Sequence, residues 1–278
     1  MPAMKFSQAK NEKLESMKSR DDLPIKVTGI GTTSLPAGFS CPDAKDCLAK
    51  VIINELNKRQ IHDGPDMLFR CFEATMEAYQ TNIYNRNWDN FTMLRDCKND
   101  ISKMAKIINA GIQQLPRSVN LVRPHIGGDF FSKNYLLAWY EVARQNPDIH
   151  FYAYTKSLRF WTETMDQKPD NLELTASIGG RYDNLITEYN LKSARVVFSE
   201  AEATELGLEI DHDDSLAAFG SESFALELHA TQPAGTPAAA AWKEIRQAKQ
   251  AKKYEAAPIA KKYEAVKADS RYPILATV

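Results

Sequence analysis

The chain has 278 residues, of which 44% are hydrophobic and 26% charged, and its formal net charge at pH 7 is -1. A chain of this kind can bury a substantial core, and its balanced charge does not point to nucleic acid or a membrane as a partner of the whole chain. No apolar run approaches the roughly 20 residues of a membrane span, and the first residues lack the apolar core of an export signal. We therefore expect a cytoplasmic protein.

The first part of the chain is predicted to be mostly helical. Residues 1–26 are polar and lysine-rich, which indicates a loose arm or one amphipathic helix. Residues 27–40 are turn-rich, and residues 44–60 fit a strand or a helix. Residues 66–83 and 87–114 carry apolar side chains at helical spacing and are predicted to be helices.

From about residue 119, short apolar runs alternate with amphipathic stretches such as residues 132–146 and 181–192. This alternation is typical of βα units that build a parallel sheet. Five or six units are fewer than a full eight-fold barrel needs, so we expect an α/β fold with a partial (β/α) barrel, and a doubly wound open sheet is the alternative. The predicted strands are residues 120–126, 149–154, 172–177, 194–199 and 224–230.

Four parts follow from this pattern: an N-terminal arm (1–26), a cysteine-bearing, mostly helical segment packed on the barrel (27–118), the partial barrel (119–242) and a basic helical tail (243–278).

Polar or glycine-rich residues follow each predicted strand. Because chemistry gathers at the carboxyl ends of parallel strands, these side chains are expected to converge on one rim. Plain polar turns are the alternative. The rim candidates are Asp129, Lys156, Ser157, Arg181, Ser199, Glu200 and Gln232. Those expected to line a pocket are Asp129, Lys156, Ser177 and Gln232.

The four cysteines are Cys41, Cys47, Cys71 and Cys97, and they all precede the barrel-like part. Stable disulfides are uncommon in the cytosol, so these are free thiols, metal ligands or catalytic groups. Their C-x5-C-x23-C-x25-C spacing has no pair typical of structural zinc and no C-x3-C-x2-C loop. Iron–sulfur clusters need thiolates placed around a cube, which sequence spacing does not fix. A metal site and free thiols both remain open.

Other candidate groups are few. His125 and His229 lie near strand ends and either face the rim or are buried and hydrogen-bonded. The stretch "DHDD" (211–214) fits an acidic solvent loop, with a divalent cation site as the alternative. The stretch "SIGGR" (177–181) could cradle a phosphate.

The tail is basic and repeats AKKYEA at 251–256 and 260–265. Residues 243–272 hold nine Lys or Arg against four acids, whereas residues 200–227 hold nine acids and no Lys or Arg. We expect a solvated helical arm, a segment packed over the acidic stretch, or a docking element for a partner such as nucleic acid.

Several segments together resemble a known family, over roughly residues 27–242. They are "LPAGFSCPDAKDC", "FRCFEATMEA", "HIGGDFFS", "YAYTKS", "SIGGR" and "DDSLAAFGSESFALELHATQPAG". They resemble the phage proteins grouped as gene product 88. The resemblance implies a phage-encoded protein that acts in the host cytoplasm and an iron–sulfur site at Cys41, Cys47 and Cys71. The GGD and TKS motifs are also similar to strand ends in the barrel of radical S-adenosylmethionine enzymes.

Three hypotheses follow, and whether the protein is an enzyme stays open. In the first, Cys41, Cys47 and Cys71, together with Cys97, hold a [4Fe–4S] cluster beside a rim that performs redox or radical-type chemistry on a small molecule. In the second, the cysteines bind zinc or nothing, and the rim performs hydrolytic or binding work. In the third, the protein is an interaction protein with a structural cluster or zinc, and it acts on a host protein or on nucleic acid through residues 243–272.

Overall fold

The computed structural model describes the fold of residues 2–256 and the side chains of residues 2–252. Nine strands form a seven-stranded sheet and a separate two-stranded hairpin. The strands are β1 (Ser7–Gln8), β2 (Ile30–Thr32), β3 (Ala49–Ile53), β4 (Arg59–Asp63), β5 (Leu121–Arg123), β6 (His150–Thr155), β7 (Leu172–Ser177), β8 (Ser193–Val197) and β9 (Phe224–Glu227).

The strand order of the main sheet is β1-β2-β5-β6-β7-β8-β9, and all neighbours after β1–β2 are parallel. The order follows the chain without a reversal. A doubly wound sheet contains a point at which the order reverses, so the alternative topology is not the one observed. The α/β class and the predicted strands β5 to β9 are confirmed. The first parallel strand, β2, lies inside the stretch predicted as turns, because it is only three residues long and contains Gly31.

Ten α-helices lie among residues 2–256. They are α1 (Glu12–Glu15), α2 (Phe72–Tyr79), α3 (Thr81–Arg95), α4 (Ile101–Ile112), α5 (Lys133–Gln145), α6 (Leu158–Thr162), α7 (Asn184–Glu188), α8 (Glu200–Glu205), α9 (Ser215–Phe219) and α10 (Pro237–Ala256). The predicted helix 87–114 is divided in two. Lys98 and Asn99 adopt left-handed backbone angles, and the Asp100 carboxylate then caps α4 by accepting from the Lys103 amide at 3.0 Å.

The two faces of the sheet bury different clusters, because successive strand side chains point to opposite sides. Phe151 packs with the row of helices α4 to α7. Its neighbour Tyr152 packs on the other face, with Leu14 of α1 and Ala218 of α9. Both faces of the central strands are therefore covered, as expected for a parallel sheet.

The two ends of the described chain both fold onto the sheet. The predicted N-terminal arm contributes the edge strand β1 and helix α1. At the other end, Lys249 and Lys252 of α10 form ion pairs with Glu227 and Glu200, so part of the basic tail packs over the acidic stretch. The second AKKYEA copy lies outside the described residues. Within residues 2–256, no helix combines the length and the apolar character needed to traverse a bilayer.

Candidate functional site

A cavity of about 170 Å³ lies at the carboxyl ends of the parallel strands. Thr155 of β6 contributes to its wall from one face of the sheet, and each of the five adjacent strands β5 to β9 contributes one residue from the face that carries Tyr152. These five residues are Arg123, Tyr154, Ser177, Val196 and Leu226. The carboxyl ends of these five strands therefore meet at one cavity.

Three of the four cysteines line the opposite, loop side of the cavity. Cys41 and Cys47 lie in the connection after β2, and Cys71 is the residue before α2. Backbone hydrogen bonds hold these segments together. The Asp46 amide donates to the Gly179 carbonyl at 3.0 Å, and the Asp46 carbonyl accepts from the Phe69 amide at 3.1 Å. The cysteine loop is thus tied both to the strand ends and to the segment before Cys71.

The hairpin of β3 and β4 explains the long gap between the second and third cysteines. It begins and ends beside the cavity, where the Gly64 amide donates to the Leu48 carbonyl at 2.7 Å. The intervening residues therefore leave the site and return to it. A search for closely spaced cysteines misses this arrangement, because the gap reflects the length of the hairpin.

The three thiols share one low-polarity environment. Burial raises the pKa of the Cys41 thiol well above its usual range, and nearby Asp129, Cys71 and Cys47 raise it further. Burial also raises the pKa of Cys71 to about 12, with Cys47 contributing. Since the thiolate is the reactive and metal-binding form, the thiols of Cys41 and Cys71 are neutral and unreactive until a cation favours their deprotonation.

Cys97 is not brought to this cavity. It follows the last turn of α3, is 7% exposed, and its thiol donates to the Met93 carbonyl at 3.4 Å. It lines a different cavity, with Pro2 and Ile107. The predicted fourth ligand is therefore separate from the other three, because the break between α3 and α4 holds it against the helical layer.

Three of the four predicted pocket residues line the cavity: Asp129, Lys156 and Ser177. Asp129 accepts from the Thr155 hydroxyl at 2.6 Å and from the Lys156 amide at 2.8 Å. Burial raises the pKa of Asp129 to about 6, although these hydrogen bonds oppose the shift. The Lys156 ammonium donates to the Ser177 hydroxyl at 2.6 Å and to the Ile178 carbonyl at 2.9 Å. It thereby links the ends of β6 and β7.

Gln232 lies behind the site and not in its wall. Its carbonyl oxygen accepts from the Arg70 amide at 2.7 Å, and its amide nitrogen donates to the Arg70, His229 and Ala230 carbonyls. It positions the segment that carries Cys71. The remaining rim candidates, Ser157, Arg181, Ser199 and Glu200, are not among the residues that line the cavity.

A buried ionic network beneath the cavity was missed by the sequence analysis. Asp214 accepts from Arg123, from Lys13 at 2.7 Å and from the Tyr152 hydroxyl at 3.2 Å. The expectation of an acidic solvent loop at 211–214 is wrong here, because Asp211 is 4% and Asp214 1% exposed. An arginine at the end of an apolar run, in "LVRPHI", was the available signal, since a strand-end cation needs a partner.

The two candidate histidines have different surroundings, although both line the cavity. His125 is buried in a left-handed backbone conformation, and its Nε2 lies 3.1 Å from the Tyr135 hydroxyl. Burial lowers the pKa of His125 to about 3, so its ring is neutral. His229 is exposed, and its ring lies at a tilted angle to the Phe72 ring, with 5.0 Å between the ring centres. In the part of the chain that the structure describes, no three His, Cys, Asp or Glu side chains form a group that could hold a metal ion.

Comparison with known proteins identifies relatives but no solved structure. The family model described as "Gene product 88" matches residues 4–253. The "Gene 88 protein" of Mycobacterium phage L5 is 30% identical over 155 residues, which cover 53% of this chain and 57% of the relative. The "Gene 88 protein" of Mycobacterium phage D29 is 28% identical over 157 residues, with the same coverage. The aligned region thus spans just over half the length of these curated relatives. No solved structure matches the chain.

Proposed function

The chain belongs to the Gene product 88 family of phage proteins, and we propose that it is an iron–sulfur protein whose Cys41, Cys47 and Cys71 bind a [4Fe–4S] cluster. The observation that carries the proposal is that three cysteines, from three positions in a long connection, line one cavity at the strand ends. A fold that needed only free thiols would have no reason to gather them there.

A four-iron cluster and a single zinc ion require different separations of their thiolate ligands. Each thiolate of a four-iron cluster binds a different iron, so its sulfurs lie farther apart than the ligands around one zinc ion. The three thiols share one cavity, and no three His, Cys, Asp or Glu side chains of the described residues form a group that could hold a metal ion. Three protein ligands leave one iron open to a non-cysteine ligand.

When bound, a cluster of this kind supplies one-electron chemistry at the open iron. The chain's own residues would bind and orient a small molecule beside it. Lys156 is held at the junction of β6 and β7, and Asp129 is fixed by hydrogen bonds from Thr155 and Lys156. We further propose that the sheet is a partial (β/α) barrel, because its strand order follows the chain and its cavity lies on one face at the carboxyl ends.

The test is the iron and sulfide content of the full chain, purified or reconstituted without oxygen. We expect about four irons and four sulfides per chain, as a [4Fe–4S] cluster contains, and broad absorbance near 400 nm. Cys41→Ser, Cys47→Ser and Cys71→Ser should each lower the iron content by at least about half, because a cluster that loses a thiolate ligand is released more easily.

Cys97→Ser is the matched control, since it makes the same chemical change in a different cavity. Its iron content should equal that of the unaltered chain. A colourless protein without iron would contradict the proposal, and so would a Cys97→Ser variant that loses iron as the other three do. Zinc at one equivalent without sulfide would favour the zinc hypothesis.

A further inference from the structure

The cavity that holds the three thiols has an unusual charge balance. Three cationic side chains line it, those of Arg70, Arg123 and Lys156, against one carboxylate, that of Asp129. The Arg70 charge is compensated outside the cavity by Asp63. Both Asp129 oxygens already accept protein hydrogen bonds. Arg123 is likewise paired with Asp214, which leaves Lys156 as the lining cation without an ion-pair partner among the described residues.

Lys156 carries a charge that no carboxylate in the described chain accepts directly. Its side chain is buried, and its nitrogen donates to the Ser177 carbonyl and hydroxyl and to the Ile178 carbonyl. All three partners are neutral oxygens, two from carbonyls and one from a hydroxyl. Buried charges are normally paired. A positive charge held by neutral oxygens at a cavity wall favours an anion in that cavity.

Arg123 has a buried donor that no described residue accepts from. Its guanidinium lies 4.8 Å from the centre of the Tyr154 ring and donates from Nη1 to Asp214. Its Nε is buried and has no hydrogen-bond partner among the described residues. His125 adds a second such atom, because its side chain is 3% exposed and its Nδ1 also lacks a partner there. Buried polar atoms of this kind normally have a partner.

We propose that the cavity binds the oxyanion of a small molecule, a carboxylate or a phosphate, which accepts from Arg123 Nε and His125 Nδ1 and is held by the charge of Lys156. The inference rests on the proposed function in one respect: it names the ligand class for the same cavity. A volume of about 170 Å³ suits a small ligand, since sites for drug-sized molecules measure roughly 300–1,000 Å³.

Inorganic phosphate and acetate are the probes, and acetamide is the neutral counterpart of acetate. Each is titrated into the full chain at constant ionic strength, because salt alone changes electrostatic stability, and the melting temperature is followed. At least one oxyanion should raise it saturably, as expected for a ligand of the folded state, and acetamide should not. A response to phosphate alone indicates a phosphoryl ligand, and a response to acetate indicates a carboxylate.

Arg123→Lys keeps a cation beside Asp214 but removes the Nε donor, and Lys156→Met removes the second charge. Each should weaken the apparent affinity for the oxyanion at least tenfold. Arg117→Lys, at an exposed position, should leave it unchanged. The inference is overturned if neither oxyanion gives a saturable shift, or if both cavity variants respond like the unaltered chain.

Iron and sulfide measured on the same samples separate this inference from the proposed function. Loss of oxyanion binding with full iron content in Arg123→Lys supports the inference. An iron-free chain that binds the oxyanion would leave the inference standing while the cluster proposal fails. An iron-containing chain that binds neither oxyanion would overturn the inference and leave the cluster proposal standing.

Discussion

The carboxylate of Asp214 and the guanidinium of Arg123 form an ion pair beneath the cavity, with the Asp214 side chain only 1% exposed. Burial acts to raise the pKa of Asp214, but the charges of Arg123 and Lys13 outweigh it and lower the pKa to about 2. The carboxylate is therefore ionised in the folded protein over almost the whole accessible pH range.

Asp214→Asn should destabilise the fold by about 3–5 kcal/mol at pH 7, because it leaves the Arg123 charge buried without its partner. Urea unfolding measures the loss. The double variant with Arg123→Met should be less destabilised than Asp214→Asn alone. If the losses of the two single variants simply add, the two residues are not coupled.

The same pair predicts a pH dependence of stability. Since the folded pKa of Asp214 lies below the value of about 4 in unfolded chains, its contribution is complete above pH 4 and is lost as the pH falls through 2. The unaltered chain should lose more stability than Asp214→Asn between pH 4 and pH 2. Parallel curves for the two proteins would contradict this assignment.

Gly38 gives a test of the cysteine loop. Its φ is +69°, and a Cβ there would lie 2.4 Å from the Ala49 carbonyl oxygen. Gly207 has nearly the same φ, +65°, with open space around it. Gly207→Ala should lower the free energy of unfolding by about 1 kcal/mol, because alanine is strained in the left-handed backbone conformation. Gly38→Ala should lower it by at least about 2 kcal/mol more, because the added methyl group also meets the Ala49 carbonyl oxygen. Urea unfolding measures both losses. Equal costs would mean that the loop moves freely.

Glu77 predicts a second pH dependence, of opposite sign. Burial and then the nearby Glu73 raise the pKa of Glu77 to about 8, against the hydrogen bond from Asn87. A raised carboxyl pKa means that stability falls as the pH rises from about 4.5 to 8. Glu77→Gln copies the neutral form, so it should match the unaltered chain at pH 5 and exceed its stability by about 2–5 kcal/mol at pH 9.

The control for Glu77 is Glu188→Gln, at an exposed position of α7, which should not change the slope of stability against pH. Chemical unfolding at a series of pH values gives both curves. A Glu77→Gln curve that runs parallel to that of the unaltered chain would show that the Glu77 carboxyl titrates normally.

Gln232→Glu should loosen the segment before Cys71. The substitution replaces an amide that donates to three carbonyl oxygens with a carboxylate that repels them. We expect a loss of about 1–3 kcal/mol and faster alkylation of Cys71, followed by mass spectrometry. Gln247→Glu, on the exposed surface of α10, is the matched control. Equal alkylation rates in the two variants would contradict the positioning role.

The parallel strands were predictable from the sequence because each is a short apolar run between amphipathic helices. The runs at residues 149–154 and 172–177 match β6 and β7 to within one residue. β2 was not predictable in this way. Its pairing with β5 is specified by tertiary contacts, and a three-residue strand with a glycine carries little periodicity of its own.

The positions of the strand ends were enough to predict some residues of the candidate site. Asp129, Lys156 and Ser177 follow directly from the rule that chemistry gathers at the carboxyl ends of strands. The separation of Cys97 from the other cysteines, and the pairing of Arg123 with Asp214, depend on where distant segments fold. The latter two residues are 91 positions apart. No local pattern encodes that contact.

The uninterrupted order of the parallel strands also bears on synthesis. As the chain leaves the ribosome, each strand from β5 onward can pair with a neighbour that has already emerged. The loop that carries Cys41, Cys47 and Cys71 emerges early, together with β2. The wall that faces these thiols is completed only when β9 arrives. The two sides of the cavity are thus synthesised at different times. Any group bound by the thiols is enclosed only after β9 has joined the sheet.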